Sequence, residues 1–158
     1  MEMSANEIEM LVLKAARGGG CPLGLAEDLA VAIGFVDLEE LSRCPCDSGA
    51  VEAIPSALDR LVTDGTAQKL RADPALVAGY VAAFSRQIGT VAVEDAHDGT
   101  VTMARAALPP ATDPRPLGRR VLRPDLLAHL QDMAARTLVP ETEASRVAGA
   151  GAGLTDND

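Results

Sequence analysis

Cys21, Cys44 and Cys46 are the thiols of this chain, and His97 and His129 are its imidazoles. Cys44-Pro45-Cys46, together with Cys21 and a histidine, has donor types that zinc accepts. Structural zinc, however, is held by paired cysteines spaced two to four residues apart. A lone Cys-x-Cys reads as a thiol-bearing turn, and no metal site is assigned. Ser145 and Cys21 stand beside glycine runs, but no Gly-x-Ser-x-Gly elbow is present to expose a nucleophile. His97 adjoins a turn, and His129 falls at helical spacing beside Leu126 and Leu130. Both histidines read as structural, so no catalytic residue is assigned.

Two stretches have the chemistry of binding. Residues 18–24, GGGCPLG, precede a helix whose first N–H groups attract anions. The run follows a helix and lacks the Lys-Ser/Thr of a phosphate loop, so a helix–helix turn is the competing reading. Arg17, Gly19, Gly20 and Glu27 are its candidate ligand-binding residues. The second stretch is the end of the chain. Glycine admits close approach of a ligand or of another backbone. Gly149, Gly151 and Gly153 therefore offer backbone N–H groups, with Ser145 and Arg146 before them and Asp156 and Asp158 after them. Such acids meet a hard cation, an amine or a helix N-terminus. Arg115, Arg119, Arg120 and Arg123 either grip an anion or balance surface acids.

These residues must be positioned by elements. Ser4 with Glu7 has capping-box spacing, and Met3 with Ile8 has staple spacing. They open a helix that buries Ile8, Leu11, Val12 and Ala15 and stops at Gly18–Gly20. A second helix is predicted over 23–33 between Pro22 and Gly34, and a short one over 36–43. The next is predicted over 50–63, with Pro55 marking its first turn. Asp73-Pro74 opens a helix through Gln87 that turns Leu76, Val77, Tyr80, Val81 and Phe84 inward. The period then changes. Two β-rich runs flank Asp98-Gly99, the preferred type I′ pair, which predicts a hairpin with a solvated tip beyond Asp95. Residues 65–72 supply a third strand. After a proline-rich connector, Pro124 opens a last helix burying Leu126, Leu127, Leu130, Met133 and Ala134, ended or kinked by Pro140. The fold class is α+β, mainly helical, with five to six helices on one hairpin. The chain reads as a single domain over 1–158, with residues 149–158 an ordered tail.

Composition narrows the function. The net charge is −9, against non-specific binding to nucleic acid or to an anionic membrane. Phe35, Tyr80 and Phe84 are the only aromatic residues, too few for base-stacking platforms. Apolar residues make up 47%, enough for an aliphatic core, but no run has the length of a membrane span. The acidic start lacks the basic and apolar regions of a signal peptide, and an odd cysteine count suits reduced thiols. A cytoplasmic protein is expected.

The segments SANEIEMLVLKAARGGGCPLGLAED and AARTLVPETEASRVAGAGAGLTDND resemble the two ends of an uncharacterised bacterial family, chiefly alphaproteobacterial, a domain of unknown function. Its pattern is Ser-x-Asn-Glu-Ile-Glu, Ala-Ala-Arg-Gly and Gly-Leu-Ala-Glu at the start. It ends on Thr-Glu-Ala-Ser-Arg and a Gly-Ala tail closing Asp-Asn-Asp. The resemblance implies no activity and no cofactor. The expectation is a small-molecule-binding or accessory protein, its pocket near residues 18–28 and the tail, taking a small anion or an amine. A small enzyme using Arg146 and the tail carboxylates, with or without a divalent ion, stays open. So does a structural subunit whose tail inserts into a partner, or a homo-oligomer.

Overall fold

The capping box at the start of the chain is formed. In the computed structural model, which describes residues 2–47, 49–108 and 114–137, the first helix α1 spans Ala5–Gly18. Ser4 Oγ accepts from Glu7 N at 3.3 Å, and Ser4 N donates to Glu7 Oε2 at 2.7 Å. The same contacts hold the Glu7 carboxyl below its usual proton affinity, through the Ser4 hydroxyl first and the Ser4 amide second. Ser4→Ala is expected to cost about 1 kcal/mol. A thermal melt checks this: a fall of a few degrees is expected, and an unchanged melting temperature would mean that Ser4 does not cap.

α1 ends in a Schellman motif. Gly20 N donates to Arg17 O at 3.0 Å and Cys21 N to Ala16 O at 3.0 Å, with Gly20 at φ +89°. The second helix α2, Leu23–Ile33, then begins at Pro22 and stops at Gly34. α1 packs on α2, and α2 packs on a later helix.

Residues 36–43 form turns and not the predicted helix. Val36, Leu38 and Leu41 are all buried, a spacing that no single helical face provides. Asp37 Oδ1 accepts from Glu39 N at 3.1 Å and closes a local turn instead. After a 3₁₀ turn, Pro45–Asp47, helix α3 spans Ala50–Asp64 and closes on Gly65 at φ +68°. Pro55 therefore lies inside α3 and does not mark its first turn.

Strand β2, Gln68–Arg71, leads into helix α4, Pro74–Ile88. Asp73 caps α4, its Oδ1 accepting from Ala75 N at 3.1 Å. Strands β3, Val91–Asp95, and β4, Thr100–Arg105, form the hairpin. β2 joins them as the expected third strand, giving an antiparallel sheet ordered β2-β4-β3. Val101 and Met103 of the central strand are fully buried, and the sheet lies against α3 and α4. Asp95 is exposed although alternation puts it on the face of Val91 and Val93, so the hairpin tip stands in solvent as expected.

The hairpin turn differs from the two-residue prediction. Asp95 pairs with Val101, and Ala96 N donates to Thr100 O at 3.1 Å, leaving residues 97–99 as the loop. Positive φ occurs at His97 and Gly99, not at the Asp98-Gly99 pair that type I′ demands. Side chains decide this. Asp95 Oδ1 accepts from His97 N at 2.8 Å, and Asp98 Oδ1 accepts from both the amide and the hydroxyl of Thr100.

Glu2–Met3 and Arg120–Val121 pair as a short antiparallel ladder, here β1 and β5. This ladder was not expected from the sequence. It brings the last described helix, α5, Pro124–Ala135, alongside α1. α5 ends before Pro140, which lies outside the described residues. The fold is α+β and mainly helical, with five α-helices among the described residues. No helix there is long and apolar enough to cross a membrane.

Candidate functional site

The predicted residues of the first loop are placed by packing. Gly18 carries α1 across α5 so closely that a Cβ would stand 1.8 Å from the Met133 carbonyl oxygen. At Gly19 a Cβ would stand 2.8 Å from Met133 Cε. Gly20 supplies the left-handed turn. Arg17 Nη1 donates to Cys21 O at 2.8 Å and so braces that turn. Glu27 is exposed on α2. Each residue of the glycine run thus has a role in joining α1, α2 and α5.

Ser145, Arg146, Gly149, Gly151, Gly153, Asp156 and Asp158 lie outside the described residues. Arg136, just past the end of α5, lies beside the turn, since a Cβ on Gly18 would be 3.4 Å from Arg136 Cβ. The arginine cluster disperses. Arg120 Nη1 donates to Ile33 O at 2.8 Å and Val36 O at 2.6 Å, closing the C-terminus of α2. Arg119 faces Glu2 and Arg123 faces Asp125, both at 3.7 Å and both well exposed. Arg115 is exposed. His97 pairs with Asp95 at 3.1 Å on the hairpin tip. Among the described residues no disulfide forms, and no cluster of three His, Cys, Asp or Glu stands ready for a metal.

Of the cavities lined by described residues, two bear on binding. The first is a cleft of about 260 Å³ where α2, α3 and α4 meet. Asp28 stands in its wall with Asp59, Phe84 and Gln87, and Tyr80 contributes to it from the core side. Asp28 is half-buried and forms no hydrogen bond or ion pair among the described residues. Burial first, then the charges of Glu27 and Asp59, raises its proton affinity. Tyr80 is fully buried, and its Oη has no hydrogen-bond partner. Burial, then the charge of Asp28, pushes the phenol well above its usual range, so it stays neutral. The Phe84 ring stacks on Tyr80 with centroids 6.1 Å apart. A half-buried carboxyl, a buried phenol without a partner and an aromatic face together suit a cationic N–H donor. Anions are opposed by the two aspartates.

Motif and spacing point to neither Asp28 nor Tyr80 as a site residue. A signal for Asp28 was present. It stands three residues after Leu25 and four before Ala32, at an apolar-face position of α2. Tyr80 was read correctly as core, but a buried phenol usually needs a partner, and that requirement marks the place. Asp59, Phe84 and Gln87 converge only through helix packing.

The second cavity is a groove of about 610 Å³ between α4 and β3. It is walled by Val81, Val91, Val93 and Leu108, with Ala78 and Ala82 leaving the space.

Residues 3–44 match the model of a family described as "Protein of unknown function (DUF3726)". That span holds α1, the Schellman turn and α2, and so includes Asp28. It agrees with the resemblance of the N-terminal motifs to an uncharacterised domain family. No curated protein and no solved structure matches the chain.

Proposed function

We propose that this chain is a cytoplasmic bacterial protein that binds a small amine in the cleft beside Asp28. The observation that carries the reading is the buried Tyr80 Oη, which has no hydrogen-bond partner, at one cleft with the half-buried Asp28 carboxyl. A buried polar atom without a partner costs about 1–3 kcal/mol. A ligand that donates hydrogen bonds offsets that cost. Arg146 and Asp156 of the tail lie outside the described residues, and the reading rests on the cleft alone. The enzyme and partner-insertion alternatives rest on those tail residues.

Calorimetry with a panel of primary alkylamines, against carboxylates of equal size, tests this. Saturable binding by amines alone is expected, and Asp28→Asn should abolish it. Binding that survives Asp28→Asn, or binding by carboxylates only, would contradict the assignment. Stability supplies a second readout. The folded proton affinity of Asp28 is raised, so its ionisation opposes folding. That deficit is absent below the unfolded pKa and complete above the folded one. Asp28→Asn should therefore melt higher than the parent at neutral pH. The gain should vanish as pH falls through the carboxylate range.

A further inference from the structure

We infer that the groove between α4 and β3 is a second binding site, one that takes a medium-chain amphiphilic carboxylate. Its walls come from the half-buried stripe Val81 and Ala82 of α4 and from Val91 and Val93 of β3, with Leu108 at the mouth. Leu108 is 80% exposed, an apolar surface without cover among the described residues. The volume of about 610 Å³ is within the range of roughly 300–1,000 Å³ that encloses an organic ligand. Apolar walls alone do not choose an occupant; charge does. Among the described residues Arg86 is the only charged side chain lining the groove. It is exposed, and no hydrogen bond or ion pair engages it among the described residues. In a protein with a net charge of −9, this one cation beside apolar walls is the feature of the groove that selects an anionic head. A basic residue in the last turn of a helix is already favoured by the helix dipole. The dipole gives no reason for the apolar channel that leads to it. The carboxylate is placed at Arg86, with the Ser85 and Thr90 hydroxyls nearby, and the alkyl chain lies between α4 and β3.

The groove is independent of the Asp28 cleft, and the test keeps the two apart. The full chain is titrated with 11-(dansylamino)undecanoic acid, whose fluorescence rises on leaving water. Decanoate, decanol and decylammonium are then used as competitors. Saturable binding displaced best by decanoate is expected. Arg86→Gln, an exposed substitution, should weaken the probe about tenfold, the loss of one charge-assisted contact. Ala82→Trp should fill the groove and abolish binding. Asp28→Asn should bind the probe as the parent does. Equal displacement by decanol or decylammonium would overturn the proposal. So would unchanged affinity in Arg86→Gln. The other natural occupant is an extended peptide added to the open edge of β3, since β3 is an edge strand. Failure of decanoate to displace the probe, with displacement by a valine-rich peptide, would assign the groove to that role instead.

Discussion

Gly18→Val is expected to destabilise the protein by on the order of 3 kcal/mol, through overpacking at the crossing of α1 and α5. That corresponds to a fall of roughly 10 °C in melting temperature for a domain of this size. A Cβ at Gly18 meets the Met133 carbonyl oxygen at 1.8 Å and its carbon at 2.8 Å. Both are backbone atoms, so no rotamer change relieves the clash. Either helix must move, and Ala15, Ala16 and Met133, all buried at the seam, lose packing with it. Gly24→Ala is the control. Nothing lies within 4 Å of a Cβ there, and the site is in the first turn of α2. Alanine is the better helix former, so Gly24→Ala should be neutral or stabilising by up to about 1 kcal/mol. Thermal unfolding of the two variants decides the matter. If both melt alike, the close crossing of α1 and α5 is wrong, and the glycine run is free for another purpose.

Arg120→Met should cost on the order of 2 kcal/mol, the scale for hydrogen bonds from a charged donor. Methionine keeps much of the stem but leaves Ile33 O and Val36 O without their donor. Part of that loss is returned. Arg120 Nε and Nη2 are buried without partners, and burial lowers the proton affinity of the group despite the nearby Glu9 and Asp37 charges. Removing a poorly solvated guanidinium relieves that penalty, so the value falls below the upper range. Arg119→Ala and Arg123→Ala break only exposed ion pairs and should stay within about 0.5 kcal/mol of the parent. Denaturant unfolding separates the cases. Equal, small effects at all three positions would mean that the cluster is a solvated patch, the bland reading of its sequence.

The elements that were legible carry their signals locally. α1 is announced by Ser4 and Glu7 at its start and by glycines that can take φ +89° at its end. α4 has Asp73 and Pro74 in the two positions that start a helix. What the sequence concealed depends on partners far away in the chain. The β1–β5 ladder is two residues a side and has no periodicity to read. Residues 36–43 look helical by composition, but the core takes Val36, Leu38 and Leu41 from one non-helical stretch. Asp98-Gly99 marked the hairpin correctly, yet Asp95 and Asp98 rewrote the turn through their carboxyls. The cleft shows the same division. Asp28 is out of place on an apolar helix face, which the sequence displays. That it stands over Tyr80 and beside Phe84 follows only from the packing of α2 on α4, where a Cβ on Gly79 would stand 3.0 Å from Ala32 O.

The central claim is that Asp28 and Tyr80 receive an amine, and the most direct measurement is an amide-shift titration of the isotopically labelled full chain with butylammonium. Saturable shifts at Leu25, Asp28, Asp59 and Phe84, absent in Asp28→Asn, are the predicted result. Tyr80→Phe should melt no lower than the parent without ligand, because it removes an unsatisfied hydroxyl, yet should bind butylammonium more weakly. Shifts confined to Gly18–Cys21, or shifts at the cleft that persist unchanged in Asp28→Asn, would contradict the account.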